Sequence, residues 1–468
     1  MNHTRMLLFI SLAALIGCST STSTPGSATS GLGSDAEPTQ QKRPNIVLLY
    51  ADDAGWVDFG FQDQAAEDLA SMTPNIDRIA GEGVVCTRAY MSGVVCSPSR
   101  AGMLTGRYQQ RFGHENNIPP GYMDGGMDLE QRTIADRLRD LGYVTGLVGK
   151  WHLGYPTGYH PQDRGFDEFV GLLQGARSYH PIENVSAHRV IQHNGRPLPE
   201  EGYVTDRFGD AACEFIQAHH DRPFFLFVSF TAPHGPMQPR RSDVAMLAEL
   251  GIEPQRRRRY AGMVHAMDQN VGRILDTLDE SGLDENTLII FTNDNGGQTL
   301  TGASNGPLRG RKGNVYEGGT RVPMAFRWTG ELPPGTRVDS PVSSLDFLPT
   351  FVDMAGGSMA DIPHDGVDVL PLLRSEHPSE PDRPLYWRHA GPQGDVAMLD
   401  TPWKVVWQRR ADLEPELYDL SRDPGEQSDL SSSEPERLQA MLEAVAAWES
   451  ELEDPRWGPG SESSSSDG

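Results

Sequence analysis

Carboxylates and cations recur along this chain, each time directly after an apolar run. Asp52 and Asp53 follow NIVLLYA, Lys150 and His152 follow YVTGLVG, His234 follows PFFLFVSFTAP, and Asp294 and Asn295 follow NTLIIFTN. Asp52, Asp53, Asp294 and the amide oxygen of Asn295 are hard oxygen donors, suited to Ca²⁺ or Mg²⁺ and poorly suited to zinc. An Asp pair after a strand can instead cap a helix or build a turn. A second acid–amide pair after another run tips the reading toward metal. Lysine and histidine at such places could hold an anion and move protons, or could be solvated loop residues.

A cysteine poses a different question. In VVCSPSRAGMLTGR (94–107), Cys96 is followed by Pro98 and then Arg100, in a chain whose N-terminus reads as a secretory leader. Arg5 and the apolar run Met6 to Ile16 are too short to span a bilayer and fit a signal-peptide core over residues 1–17. Leu15-Ile16-Gly17-Cys18 resembles the bacterial lipobox, which implies cleavage before Cys18 and a lipid anchor on its thiol. The alternative is an ordinary signal peptide that contains a cysteine. Ser19 carries no inner-membrane retention signal, so an exported lipoprotein of the periplasm, outer membrane or cell surface is expected. Residues 18–43 read as a flexible Ser/Thr/Gly/Pro tether about 25–30 Å end to end, and 456–468 as a disordered tail.

Exported proteins usually use cysteines in disulfides. With Cys18 anchored, Cys86, Cys96 and Cys213 remain, an odd number. Cys86 and Cys213 read as buried inert thiols, and a bridge between them stays open. Cys96 is left without a structural job.

The elements that must position these residues follow from the apolar runs. Runs over 45–56, 143–154, 223–236 and 286–297 are nearly continuous, which suggests strands buried on both faces of a parallel sheet. Helix-like stretches such as 133–143 and 263–282 lie between them. The expected fold is α/β: a doubly wound, mostly parallel sheet over 44–375, followed by a smaller α+β subdomain over 376–455. Ligands of such sheets bind beyond the carboxyl ends of the strands, so the four polar ends are expected to meet in one site. The formal net charge of −25 argues against nucleic acid as a partner. An anionic substrate would have to be met by a local basic cluster.

CSPSRAGMLTGR resembles the signature of the type I, formylglycine-dependent sulfatases of the alkaline phosphatase-like superfamily. NIVLLYADDAGW before it, and GYVTGLVGKWHLG, TAPHGP, FTNDNGG and GRKGNVYEGGTRVP (310–323) after it, fall in that family's order, and ELYDLSRDPGEQSDL (416–430) resembles its small C-terminal subdomain. The resemblance implies hydrolysis of sulfate monoesters by a formylglycine (3-oxoalanine) made from Cys96 by a maturation enzyme. It assigns Asp52, Asp53, Asp294, Asn295 and the modified Cys96 to a divalent cation, with Ca²⁺ expected ahead of Mg²⁺. It makes Arg100 the residue that orients the nucleophile, and Lys150 and Lys312 the cradle for sulfate oxygens. His152 becomes the base that triggers sulfate release, and His234 with Lys312 the acid for the departing alcohol. A lipid-anchored enzyme outside the cytoplasm is expected to meet sulfated carbohydrates.

Two rivals remain at this level. One is a formylglycine-dependent phosphoester or phosphonoester hydrolase; the other is a silent carbohydrate-binding lipoprotein, against which the intact Cys96, Arg100 and Lys312 argue. Arg256 to Arg259 read as a solvated helix face, and Trp403 and Trp407 as core.

Overall fold

The computed structural model describes residues 43–375 and 381–461. The leader, Cys18, the tether up to residue 42, and residues 462–468 of the tail lie outside them.

The four apolar runs form the parallel centre of a ten-stranded mixed sheet. Strand Thr287–Asn293 pairs with Asn45–Ala51, which pairs with Phe224–Ser229, which pairs with Val144–Lys150, all in parallel. Glu168–Leu172 continues the parallel run beside Val144–Lys150. The runs are continuous because successive side chains enter opposite cores. Ile46, Leu48, Tyr50, Phe225, Phe227, Leu288 and Ile290 point into one; Val47, Leu49, Leu226, Val228, Ile289 and Phe291 point into the other. Helices Cys96–Thr105, Ile134–Asp140 and Phe347–Met354 cover the first face. Pro74–Gly81, Val204–Ala218 and Gln255–Glu280 cover the second. The result is a doubly wound α/β domain.

Strands Leu385–His389, Asp395–Asp400, Trp403–Trp407 and Glu416–Asp419 form a separate antiparallel sheet. One face, with Trp387, Ala397, Val406 and Tyr418, packs on Tyr90, Val315 and Tyr316 of the large domain. The other is closed by helix Pro435–Glu449 through Met441, Val445 and Trp448. Between the two domains Lys404 is buried, its Nζ 2.8 Å from Glu317 and 3.0 Å from Glu426.

Several details differ from the sequence reading. Cys86 is buried as expected, but Cys213 is half-buried on its helix, and both are free thiols. The chain does not become a tail at 456: Trp457 is buried and its carbonyl accepts from Asn116 Nδ2 at 2.9 Å. A large indole outweighs the polar composition around it. Trp403 and Trp407 are half-buried, each with an arginine, Arg437 and Arg409, 4.4 Å from its ring.

The arginine run is also not uniformly solvated. Arg256 and Arg259 are exposed, but Arg257 is buried and bridges Asp58 at 2.8 Å and Asp68 at 2.7 Å. Asp58 also accepts from Tyr260 Oη at 2.6 Å, and Tyr260 Oη accepts from the Gly55 N–H at 2.9 Å. The long helix thereby holds the loop that leaves the first strand. Removing one partner of a buried ion pair leaves the other charge uncompensated, so Arg257→Met should destabilise folding by about 3–5 kcal/mol in chemical denaturation. Arg256→Met should stay within about 0.5 kcal/mol. Equal effects would refute this role for Arg257.

Candidate active site

The parallel register brings the strand ends together. Lys150 is the last residue of its strand, Asp52 and Asp294 each lie just past theirs, and His234 lies in the loop after Phe224–Ser229. Asn293 staples two of the ends, accepting from the Ala54 N–H at 3.1 Å and donating to the Ala54 carbonyl at 2.8 Å. Asp53 and His152 adopt positive φ, 68° and 63°, where side chains with a Cβ are rare and functional sites tolerate strain.

Cys96 opens the helix Cys96–Thr105, which is buried along its whole length. Ser97, Ser99, Ala101 and Gly102 are small enough for close packing, and Gly106, at φ +63°, ends the helix. Arg100 stands one turn beyond Cys96, fully buried. Its guanidinium reaches Asp294 Oδ2 at 3.2 Å, Asp52 Oδ2 at 3.9 Å and the Lys150 carbonyl at 3.1 Å, and lies over the Tyr50 ring.

All ten expected residues enter this cluster. Lys150 Nζ lies 2.6 Å from Asp52 Oδ2. Lys312 Nζ lies 2.7 Å from Asp53 Oδ1 and 3.1 Å from Cys96 Sγ, which is itself 3.5 Å from Asp52 Oδ1. The Asp53 N–H donates to Asp294 Oδ1 at 3.2 Å, and Asn295 Nδ2 donates to Asp53 Oδ1 at 2.9 Å. His234 is partly exposed; its Nδ1 donates to the Gly235 carbonyl at 2.7 Å, which leaves Nε2 facing Asp53 Oδ2 at 3.6 Å. His152 is buried, and its Nδ1 has no hydrogen-bond partner.

The electrostatics follow from burial. Burial alone would raise the Asp52 carboxyl, but Lys150, His234, Arg100 and Lys312 outweigh it and hold the group well below the carboxylate range. Asp294 is pushed up, by burial and then by the Asp52 charge. Burial pushes the Cys96 thiol up as well, followed by Asp294, so a free thiolate is disfavoured here. Burial, Lys150 and Arg100 hold His152 far below its ordinary value and keep the imidazole neutral.

The site has the makings of a metal centre. Ligand atoms of Asp52, Asp53, Cys96 and His234 all lie within 4.8 Å of one another. Asn295 uses its Nδ2 on Asp53 and Gly296, leaving Oδ1 buried with no partner. A buried amide oxygen beside three carboxylates fits a hard divalent cation.

Sequence reasoning missed the supports of this cluster. Ser97 Oγ donates to the His152 carbonyl at 2.7 Å and accepts from His114 Nε2 at 2.7 Å. The His114 ring meets Trp457 edge-on at 4.7 Å. Ser229 Oγ donates to the Lys150 carbonyl at 2.7 Å. Gly175 passes so close to His152 that a Cβ there would fall 2.5 Å from its Cε1. Ser97 was signalled by adjacency to Cys96; His114 and Gly175 carry no local signal.

Comparison with known proteins agrees with this arrangement. The sulfatase family profile matches residues 44–358, and that of the N-sulphoglucosamine sulphohydrolase C-terminal region matches 311–447. N-acetylgalactosamine-6-sulfatase of Canis lupus familiaris is 31% identical over 467 residues, covering 88% of this chain and 85% of that one. Arylsulfatase A of Homo sapiens is 33% identical over 457 residues, covering 85% and 86%. The crystal structure of Ps i-CgsB in complex with k-i-k-neocarrahexaose superposes with a TM-score of 0.85 at 33% identity, over 91% of this chain and 96% of that one. The match spans the strand-end acids, the Cys96 helix and the small C-terminal sheet together: this chain belongs to the sulfatase family of the alkaline phosphatase-like superfamily and is a sulfuric ester hydrolase.

Proposed function

We propose that the chain hydrolyses sulfate monoesters of carbohydrates, using a Cα-formylglycine made from Cys96 by a maturation enzyme and a bound Ca²⁺. The observation that carries this is the placement of Cys96: it is buried at a helix start, 3.1 Å from Lys312 Nζ and 3.5 Å from Asp52, where burial suppresses its thiolate. A thiol so placed is a poor nucleophile. Asp52, Asp53, Asp294 and Asn295 would hold the cation, and the hydrated aldehyde beside it would supply an acidified hydroxyl for attack and a second one for sulfate release.

The chain's own residues account for the rest. Three carboxylates face Arg100, Lys150 and Lys312, so their charges cancel, and a divalent cation leaves the pocket positive in an otherwise acidic protein. That suits a sulfate ester and the charge it develops in the transition state. Lys150 and Lys312, bridged to Asp52 and Asp53, have ammonium groups ready for sulfate oxygens. His152, kept neutral, accepts the proton whose loss drives sulfate release. His234 donates its Nδ1 proton to the Gly235 carbonyl, so Nε2, 3.6 Å from Asp53 Oδ2, is the nitrogen that takes up a second proton and gives it to the departing alcohol. Carbohydrate as the substrate class is supported by the Ps i-CgsB complex and by the N-acetylgalactosamine-6-sulfatase name of relatives. The protein is exported and tethered to a membrane through Cys18.

Purified protein from its native host should carry calcium, and the peptide holding residue 96 should have the mass of an aldehyde in place of the thiol. Cys96→Ala should fold and lose essentially all turnover. Stoichiometric zinc, or wild-type-like turnover by the variant, would overturn this reading.

The two histidines should fail differently. His234→Ala should slow sugar sulfates far more than activated aryl sulfates, whose alcohols leave without an acid. His152→Ala should release about one equivalent of alcohol per enzyme and then stall, since sulfate release is the step it serves. Uniform loss on both substrate types, without a burst, would refute the assignment. For the anchor, Cys18→Ala should move the protein from the membrane fraction to the soluble one; unchanged fractionation would refute it.

A further inference from the structure

A second group of polar side chains adjoins the site and has no part in the roles above. Gly175, just past strand Glu168–Leu172, lies against the His152 ring. The residue before it, Gln174, is buried, and its amide oxygen faces Arg189, 3.2 Å from Nε and 3.1 Å from Nη2. The Gln174 N–H donates to the His188 carbonyl at 2.9 Å. The Arg189 carbonyl accepts from Arg177 Nη1 at 3.0 Å, and Arg177 is itself paired with Glu200. The main chain of this segment is thus anchored. The Arg189 side chain is exposed and forms no ion pair with any described carboxylate. In a protein with 65 acidic residues against 40 basic ones, an exposed guanidinium with an amide partner but no described carboxylate calls for a reason.

Tyr155 completes the group. Its ring centre lies 4.7 Å from that of His188, it is only 6% exposed, and its hydroxyl is buried without a hydrogen-bond partner. Burial pushes this phenol up to about 12 while the Arg189 charge pulls it the other way, so it remains a neutral donor that feels the guanidinium. A buried hydroxyl with no acceptor is destabilising, and an oxygen of a bound ligand would satisfy it. The Arg189 N–H groups that Gln174 does not use, and the Tyr155 hydroxyl, offer donors with no acceptor among the described residues, which is the complement of an oxyanion.

We propose that Arg189 and Tyr155 form an accessory anion subsite that binds a second anionic group of the substrate, a sulfate ester or a carboxylate near the scissile sulfate. The preferred substrates are then saccharides with more than one negative charge. This rests on the sulfated-carbohydrate reading above.

The test compares kcat/KM for matched disaccharides bearing one sulfate, two sulfates, or one sulfate and a uronate, with 4-nitrophenyl sulfate as a single-anion reference. Wild type should prefer a doubly charged member over its singly charged partner by about tenfold, the value of one charge-assisted hydrogen bond. Arg189→Ala should abolish that ratio chiefly through KM, Arg189→Lys should restore part of it, and Tyr155→Phe should reduce it. Preference among the sulfate and uronate pairs identifies the anion. No preference in wild type, or a ratio unchanged in Arg189→Ala, overturns the subsite. Failure of wild type to turn over any sulfate ester, 4-nitrophenyl sulfate included, would instead count against the underlying function.

Discussion

Three carboxylates buried at the end of one sheet are the constraint on which the rest of this structure depends. Ionised groups removed from water are costly unless matched by opposite charge and filled hydrogen bonds. Asp52, Asp53 and Asp294 are matched by cations from three different elements: Arg100 from the Cys96 helix, Lys150 from a strand, and Lys312 from a loop. Each of those elements must therefore be in place for the acids to be tolerated. The compensation is still incomplete, since Asp294 is pushed up and Asn295 Oδ1 has no partner. A hard cation is the remaining piece that fits.

The parallel sheet makes such a concentration of charge possible. Its central strands bury both faces, so chemistry is confined to the strand ends, and the register aligns those ends. Tyr50 stands opposite Ser229 and Thr292, and Gly149 opposite Ser229, one residue before Lys150, two before Asp52 and Asp294, and five before His234. Even a backbone contact is tuned there: a Cβ on Gly149 would lie 1.9 Å from the Ser229 carbonyl oxygen, so only glycine lets the two strands run this close beside Lys150.

What could be read from the sequence was whatever is local. An apolar run followed by an acid states both the strand and where its chemistry lies, and Cys96 with Arg100 states one helical turn. Supports formed by distant pairings left no such trace. Arg257 finds Asp58 from 199 residues away, and Asn116 finds Trp457 from 341 away. Arg257 therefore read as one more solvated arginine, and Trp457 as part of a polar tail. His114 is similar: its partner Ser97 is only 17 residues away, but the contact is made by a turn of chain that periodicity cannot describe. Gly175 matters through the absence of a side chain, a requirement visible only when the His152 ring is beside it.

The small C-terminal sheet, which carries none of the ten residues, is nevertheless part of the site. Its Lys404 and the following loop's Glu426 enclose Glu317, which also accepts from Tyr90 Oη and pairs with Arg321. Glu317 begins the turn Glu317-Gly318-Gly319, and the Gly319 carbonyl accepts from the Gly296 N–H at 3.0 Å. Contact is so close that a Cβ on Gly296 would fall 2.0 Å from the Gly318 carbonyl oxygen. Gly296 directly follows Asn295, and the Lys312 N–H reaches the Gly297 carbonyl at 3.3 Å. One wall of the candidate metal site and one of the cations beside it thus share a loop clamped from outside the sheet. A buried lysine between two buried glutamates is a poor source of net stability, but it is directional, and it sets the loop at one distance from Asp53. On this argument the subdomain fixes the geometry of Lys312 and Asn295 rather than contributing chemistry of its own.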